Sequence, residues 1–318
     1  MNKLALLLCK SHWKFLRRVG AVILRNGSYW HDLIDNEPKK ALEIMWKVYM
    51  GNNINWNNCQ TLNEKIQWLE VFSDTTLWTE YADKYLVRQH ITNLGLEEYL
   101  PKLYGVWNRV EDIDYNSLPD SFVIKCNHDC GSAIIVPNKN DDFDKEKANQ
   151  KLKKHLDKIW GYRTGEPHYT RIQRRVIAEE LLGGSDFYNN NKSLVDYKFW
   201  VINGKAEICF VCYDRVIGKT AVFDLYSLDP WKEMRKYLSK DYSVQKFQNI
   251  PEPKNLQKMI EIAEIIGEKH PQVRVDLYNI EGKIYFGEMT FSSYGGRMHY
   301  FSDELQEKLG KEIVLPET

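Results

Sequence analysis

Two carboxylates late in the chain have a spacing that suits a divalent cation. Asp276 lies in Arg274-Val275-Asp276 and Glu288 in Phe286-Gly287-Glu288, and Glu281-Gly282 predicts a turn between their two strands. Side-chain alternation can bring the first and last residues of both triplets, Arg274, Asp276, Phe286 and Glu288, onto common faces of the hairpin. Paired carboxylates repel unless a cation lies between them, and such hard oxygen donors suit Mg²⁺ that also holds nucleotide phosphates. The pattern predicts Asp276 and Glu288 as metal ligands; the alternative is a pair of solvated acids.

A lysine that ends an apolar strand is a candidate for binding phosphate. Lys125 closes the run Ser121–Lys125, and the loop that follows contains His128 and Gly131. The lysine can act as a point charge on phosphate oxygens, and the loop can offer backbone N–H groups and a polar imidazole. The GxxxxGK[ST] pattern of a Walker A loop does not occur here. A structural lysine is the alternative interpretation.

A strand with two acids near its end is typical of a nucleoside pocket. Glu179, Glu180 and Leu182 precede a glycine turn, and Asp186 follows it. Backbone groups near Glu179–Leu182 can read a base edge, and a carboxylate such as Asp186 can accept from ribose hydroxyls. A strand end with solvated acids remains the alternative.

Further cations complete the candidate set: Lys84, Lys198, Arg215 and Arg297. Lys198 lies early in a strand and Arg215 at the far end of the same predicted hairpin, so either can reach a terminal phosphate. Arg297 follows the polar segment 290–296 and can hold the carboxylate or phosphate of an acceptor. Each of these, taken alone, can also be structural.

Bulk composition sets limits on the function. The 318 residues predict two or three domains, and 44 basic against 44 acidic residues exclude a general polyanion-binding character. No stretch approaches the length of a membrane span. The six cysteines do not resemble a secreted disulfide framework. Cys209 and Cys212 could join Cys126 and Cys130 around zinc, but their apolar flanks predict a buried strand instead.

Local patterns predict helices followed by a β-rich region. Helices are expected over residues 38–50, from the capping box Thr61–Glu64 to about residue 71, and from near residue 77 through Lys84 to about residue 91. Later residues predict strands at 121–125, 133–136 and 175–182, helices at 146–160 and 254–269, and two hairpins. The hairpins span residues 195–211, turning at Asn203-Gly204, and 272–289. The order predicts an α+β fold.

The first 25 residues are basic and apolar. They contain six Lys or Arg side chains and no acid, interleaved with large apolar residues. No cleavage site of a secretory signal follows. Two interpretations remain: a basic amphipathic helix on an anionic membrane surface, or a helix packed on the body of the protein.

In this order, these residues resemble the ATP-grasp superfamily. The pattern of that family is matched by Lys84, Lys125, Glu179 with Leu182 and Asp186, and the Arg274, Asp276 and Glu288 set. More closely, the chain resembles the TupA-like branch, named for teichuronopeptide synthesis. Five stretches carry this likeness: residues 61–68, 83–85, 122–128, 196–200 and 286–291. The likeness covers roughly residues 55–300.

The resemblance implies a fold in which two α+β subdomains clamp a nucleotide. We therefore expect a helical extension at 1–55, a helical region at 56–118, a small subdomain at 119–182 and a large, metal-binding subdomain at 183–318. Two positions depart from the family pattern. Thr290 stands where many members have a metal-binding Asn, and Asp129-Cys130 precedes Gly131 where small residues are commoner.

The resemblance also implies ATP and Mg²⁺ as cofactors and the formation of an amide from a carboxylate and an amine through an acyl phosphate. This branch is associated with capsule-type polysaccharide biosynthesis, so the expected partner is a glycan or amino-acid acceptor, lipid-linked or free, and not a nucleic acid. The expected location is the cytoplasm, either free or in contact with the inner face of the cell membrane through residues 1–25.

Other functions remain open. A glycosyltransferase would use a nucleotide-sugar and often a DxD metal motif; Asp112-Ile113-Asp114 and Asp142-Phe143-Asp144 both read as solvated turns. A kinase-like phosphotransferase would use the same ATP site without forming an amide. A pure binding module is disfavoured by metal-type carboxylates next to cations.

Overall fold

The computed structural model describes residues 2–141, 143–184, 193–216 and 220–317. The chain forms two compact units. The first comprises residues 1–79, 159–171 and 291–318, and the second comprises residues 80–158 and 172–290. Each unit is assembled from separate stretches of chain, whereas the sequence predicted contiguous domains with boundaries after residues 55, 118 and 182.

Helices dominate the first 93 residues. The helices of the described residues are α1 (Asn2–Cys9), α2 (Lys14–Arg25), α3 (Ser28–Asn36), α4 (Pro38–Met50), α5 (Leu62–Phe72), α6 (Thr76–Ala82), α7 (Val87–Asn93), α8 (Lys145–Leu156), α9 (Trp160–Thr164), α10 (Pro167–Thr170), α11 (Leu256–Gly267) and α12 (Asp303–Glu312). The helical N-terminal region is thus confirmed. No helix of the described residues is long and apolar enough to cross a membrane.

The basic segment forms two helices, so the prediction of one helix over residues 1–25 was wrong. The chain leaves helical geometry between α1 and α2, and buried Arg17 holds this link by donating to the carbonyls of Ser11 and His12. The helices then pack closely at Gly20, where a Cβ would lie 2.7 Å from Ala5 O and Cys9 N. Only a residue without a side chain fits there.

The helix expected from residue 77 to 91 is also interrupted. Asp83 accepts the backbone N–H groups of Tyr85 (2.8 Å) and Leu86 (3.3 Å), which ends α6 and begins α7 one turn later. A short Asp side chain competes in this way with the helical hydrogen bonds. In contrast, the Thr61–Glu64 capping box and the α5 helix that it opens are confirmed.

The second unit contains two antiparallel sheets. The first has the order β1-β4-β2-β3, formed by Leu103–Trp107, Val176–Glu179, Phe122–Cys126 and Ile134–Val136. β1 lies within the region predicted to be helical. Along β2, Phe122, Ile124 and Cys126 are buried in a core that includes Leu152 of α8. Because side chains alternate along a strand, Lys125 projects to the opposite face.

The second sheet has the order β10-β9-β5-β6-β7-β8. Its strands are β5 (Asp196–Ile202), β6 (Lys205–Val216), β7 (Thr220–Leu228), β8 (Trp231–Glu233), β9 (Gln272–Ile280) and β10 (Lys283–Thr290). Both predicted hairpin turns are confirmed at Asn203-Gly204 and Glu281-Gly282, where all four φ angles are positive. Cys209 and Cys212 are buried on β6. The predicted α+β class is therefore confirmed.

Candidate active site

Strand register brings the metal-type carboxylates and a lysine together. Asp276 on β9 pairs with Lys198 on β5 on one side and with Glu288 on β10 on the other. Directly paired residues project from the same face of a sheet, so the three side chains form a row across three strands. Arg274 lies two residues before Asp276 and shares that face.

A bulge in β10 aims Glu288. The pairing shifts between Phe286, which pairs with Leu277, and Glu288, which pairs with Asp276. Gly287 occupies the bulge, where a Cβ would lie 2.9 Å from Asp276 O. The bulge puts Glu288 beside Asp276 and leaves Phe286 on the opposite face. The expectation that Phe286 can share this face was wrong, because the sequence period does not reveal the extra residue.

Cations bridge the two carboxylates. Arg274 donates to Asp276 through Nε (2.7 Å) and Nη2 (2.8 Å), and its Nη2 also lies 3.2 Å from Glu288 Oε1. Lys198 Nζ donates to Asp276 Oδ2. Lys84 Nζ lies 3.7 Å from Glu288 Oε2. The cluster thus holds both carboxylates at close range by charge-assisted hydrogen bonds.

The electrostatics of this cluster favour an ionised Glu288. Burial alone would raise its pKa, but the charges of Lys84, Lys198 and Arg274 hold the pKa well below its ordinary value. Burial raises the pKa of Asp276, against the opposing effect of Arg274 and Lys198. For Lys198, burial lowers the pKa, but the neighbouring carboxylates, Asp196 first, raise it overall.

The donor set fits Mg²⁺ that is shared with a ligand. Asp276 and Glu288 offer carboxylate oxygens from adjacent, paired positions. Within the described residues, no group of three or more His, Cys, Asp or Glu side chains could hold a metal ion. Two carboxylates therefore need further oxygen ligands, which nucleotide phosphates and water can supply. Thr290, at the position expected to weaken a second metal site, accepts from Arg274 Nη2 at 3.1 Å.

Lys84 connects this cluster to the loop after β2. Its Nζ donates to Asp129 O (2.8 Å), and its backbone N–H donates to Asn127 O (3.1 Å). Gly131 in the same loop has φ +92°, a conformation that favours glycine. Lys84 therefore lies close both to the loop after β2 and to Glu288.

Two buried side chains of this loop, Asp129 and His128, anchor it to the rest of the second unit. Asp129 is buried and accepts from Ser132 Oγ and from His155 Nδ1 of α8. His128 is also buried, and its Nε2 lies 3.1 Å from Lys158 O. Burial lowers the pKa of His128. His128 was predicted to contact a ligand, but its observed contact anchors the loop. The hydrogen bonds of Asp129 explain why an acid stands where small residues are commoner in the family.

Glu179 binds two cations on the first sheet. Its Oε2 lies 2.5 Å from Lys125 Nζ, and its Oε1 lies 3.2 Å from Arg88 Nη1. The sequence offered no motif for Arg88, which becomes visible only through its contact with Glu179. The neighbouring Glu180 donates its backbone N–H to Lys102 O at 2.8 Å and accepts Lys102 N–H on its side chain. Leu182 is buried.

A further carboxylate, Asp196, was not predicted. It lies 3.4 Å from Lys198 Nζ and accepts from Arg215 Nη2. Asp196 therefore holds two predicted cations, Lys198 and Arg215, in one group. Its position two residues before Lys198, on the same face of β5, was the signal that could have found it.

One predicted site residue, Arg297, makes its contacts outside this cluster. Arg297 belongs to the first unit, where it is buried, donates to Thr164 O (2.6 Å) and stacks over the ring of Tyr49. Burial lowers the pKa of Arg297. It thus has a packing role that its polar, glycine-rich neighbourhood did not indicate. Asp186 lies outside the described residues.

Comparison with known protein families gives a match over most of the chain. A model of the family described as TupA-like ATPgrasp matches residues 64–314, and no protein of curated function matches significantly. Among solved structures, the chain is similar to D-alanine–D-alanine ligase from Bacillus anthracis complexed with ATP, with 13% identity over 74% of this chain and a TM-score of 0.44. It spans 65% of the length of that ligase.

Two other solved structures show a similar level of likeness. The D-alanine–D-alanine ligase of Helicobacter pylori aligns at 15% identity over 80% of this chain and 69% of its own, with a TM-score of 0.39. The ATP-grasp ligase PsnB, complexed with a phosphomimetic variant of its minimal precursor, Mg and ADP, aligns at 12% identity over 89% of this chain and 73% of its own, with a TM-score of 0.40. Because the family match covers most of the chain, this protein belongs to the TupA-like ATP-grasp family.

Proposed function

We propose that this protein is an ATP- and Mg²⁺-dependent ligase that joins a carboxylate to an amine. The observation that carries the proposal is the row of Lys198, Asp276 and Glu288 across three strands. Arg274 bridges its carboxylates, and Lys84 connects it to the loop after β2. Family membership, rather than the geometry of the site, supports a cell-surface polysaccharide or its precursor as the acceptor. Because the proposed reaction consumes ATP, we propose the cytoplasm as its location.

The proposed reaction has two balanced steps. An acceptor carboxylate oxygen attacks the γ-phosphorus of ATP, and ADP leaves to give an acyl phosphate. An amine then attacks the carbonyl carbon, loses a proton and displaces phosphate, which forms the amide. Both steps need charge neutralisation and in-line positioning more than a nucleophile from the protein.

The side chains of the cluster suit these demands. We assign Lys198 to binding and orienting phosphate oxygens, together with Lys125, which pairs with Glu179. Arg274 fixes the orientation of both metal-type carboxylates. Asp276 and Glu288 would hold Mg²⁺, which neutralises phosphate charge when it is bound. Binding of the ion would require Lys198 and Arg274 to release part of their present contacts, and the freed cations could then face the nucleotide.

The glycosyltransferase alternative has less support in the structure. In the second DxD string, Asp144 accepts the backbone N–H of Lys147 at 2.9 Å and so caps the N-terminus of α8. Asp112 forms an exposed ion pair with Arg109 at 3.6 Å. Asp142 lies outside the described residues. Helix capping and a surface ion pair are sufficient structural reasons for the acids described.

Calorimetry tests the nucleotide site. Wild type, Glu288→Gln and the surface control Glu261→Gln would be titrated with ATP, ADP and UDP-, GDP- and CMP-sugars, with and without Mg²⁺. We expect Mg²⁺-dependent binding of adenine nucleotides that Glu288→Gln weakens at least about tenfold, since even outer-shell partners of a metal contribute this much. Glu261 pairs with Lys258 on the exposed face of α11, so Glu261→Gln should leave nucleotide binding unchanged. Tight nucleotide-sugar binding without ATP binding would favour the glycosyltransferase.

A trapping assay tests the chemistry. The protein would be incubated with ATP, Mg²⁺, a panel of uronic acids and hydroxylamine, which converts an acyl phosphate to a hydroxamate. Hydroxamate formation that Glu288→Gln removes would support ligation. ADP release with a phosphorylated acceptor and no hydroxamate would contradict ligation and indicate a phosphotransferase.

A further inference from the structure

Helices α1 and α2 present large apolar side chains to solvent. Among residues 4–22, five such side chains have high exposed fractions: Trp13 (75%), Phe15 (74%), Leu7 (68%), Leu4 (60%) and Val22 (54%). The buried positions of the same helices are mostly small: Ala5, Cys9, Gly20 and Ala21, together with Arg17 and Leu24. The two helices therefore pack largely through their small residues and leave several large apolar side chains uncovered, which marks an interaction surface.

Positive charge accompanies this apolar surface. Residues 1–27 hold six of the 44 basic residues of the chain and none of its 44 acidic residues, so the rest of the chain carries a net charge of about −6. Lys3, Lys10, Lys14 and Arg18 are exposed, and none of the four has an ion-pair partner among the described residues. The charge is thus concentrated where the apolar side chains are exposed.

The spacing on α2 mixes the two kinds of side chain. Phe15, Arg18 and Val22 follow one another at intervals of three and four residues, so they lie on one face of the helix. Lys14 precedes Arg18 by four residues and borders that face. Long basic side chains can place their charges at the headgroups while apolar neighbours enter the acyl boundary.

The link between the two helices, which carries Trp13, is anchored by a buried side chain. Arg17 donates to the carbonyls of Ser11 and His12 and, through Nε, to Val48 O of α4 at 3.2 Å. Arg17 is buried, so its charge serves this link rather than the surface. An exposed tryptophan held on a fixed link loses little conformational entropy when it enters an interface, where tryptophan is favoured.

We propose that α1 and α2 bind the surface of an anionic lipid bilayer without crossing it. Uncovered apolar side chains, four exposed basic residues and the absence of acids from residues 1–27 fit this partner better than a second copy of the chain, whose equal positive charge would repel. The inference does not depend on the proposed ligase activity, because α1 and α2 lie outside residues 64–314, which match the family.

Vesicle co-sedimentation tests the proposal with the full chain. Wild type should bind vesicles of phosphatidylcholine with phosphatidylglycerol, bind pure phosphatidylcholine far more weakly, and lose affinity as salt is added. The double variant Trp13→Ser and Phe15→Ser should reduce the partition coefficient at least about tenfold. The variant Lys14→Gln and Arg18→Gln should reduce it roughly fivefold per charge on anionic vesicles. All four positions are exposed, so circular dichroism should show unchanged folding.

A control variant separates local from general apolar binding. Val244→Ser with Val314→Ser removes two apolar side chains of similar exposure (81% and 70%) from elsewhere in the chain and should bind vesicles like wild type. Equal binding by wild type and the Trp13/Phe15 variant would overturn the proposal. The proposal would also be overturned if wild type does not bind the vesicles and light scattering shows that it is a dimer while the Trp13/Phe15 variant is a monomer.

Discussion

Acid should destabilise the second unit through one buried histidine. His270 precedes β9, is 7% exposed and lies edge-on to the ring of Tyr81 at 5.9 Å. Burial, reinforced by nearby His90, lowers its pKa to about 4. The unfolded chain would titrate this imidazole near about 6.5. Between these values the unfolded state binds the proton more tightly than the folded state does, so stability is present above about pH 6.5 and is lost as pH falls towards about 4.

The two pKa values set the size of the effect. At pH 5 this histidine would be almost fully protonated in the unfolded chain and mostly neutral in the folded one. Linkage then gives a loss of about 2 kcal/mol in the free energy of unfolding between about pH 7 and pH 5. His270→Gln removes the titrating group, so its stability should fall by about 2 kcal/mol less than that of wild type over this range.

Urea unfolding at both pH values, followed by circular dichroism, measures the difference. His12→Gln, which removes an exposed imidazole from the link between α1 and α2, is a matched control and should behave like wild type. NMR of ¹⁵N-labelled histidine side chains gives the pKa of His270 directly. A pKa of 6 or above, or identical pH dependence of wild type and His270→Gln, would refute the reasoning.

Two further predictions concern the proposed nucleotide site. Gly131→Ala should lower the free energy of unfolding by about 1–2 kcal/mol because its φ is +92°, although no heavy atom lies within 4 Å of the added Cβ. Urea unfolding measures this loss, and calorimetry should show weaker ATP binding because the loop changes shape. Unchanged stability and affinity would show that the loop conformation is unimportant. Glu179→Gln should cost about 2 kcal/mol, less than for a fully buried pair, because it leaves the partly exposed Lys125 and Arg88 without their carboxylate. Thermal and urea unfolding check this, and an effect near zero would mean that solvent screens both cations.

The sequence by itself determined the features that depend on neighbouring residues. The Thr61–Glu64 box fixed the start of α5, and the two turn pairs Asn203-Gly204 and Glu281-Gly282 fixed the hairpins β5–β6 and β9–β10. Each is a local choice, made by hydrogen bonds or positive φ angles within a few residues. The hairpin turn also set the register of β9 and β10 as far as Phe286, which pairs with Leu277.

Tertiary structure decided which residues meet across long separations. The bulge at Gly287 turned Glu288 towards Asp276 and Phe286 away from it, because pairing with β9 rather than the local period governs that strand. Glu179 pairs with Arg88, and Lys198 pairs with Asp276, through contacts between residues that are far apart in the sequence. Such partners depend on how strands and helices pack, and packing is not encoded in any short segment.

Burial was decided in the same way. Arg297 and the segment of α1 and α2 both combine charge with apolar or small neighbours in the sequence, yet Arg297 is buried against Tyr49 while Trp13 and Phe15 are exposed. A sequence pattern gives the polarity of a side chain, and only the fold determines whether another part of the chain covers it. The residue types available for phosphate, metal and membrane were therefore readable from the sequence, and their grouping was a property of the folded chain.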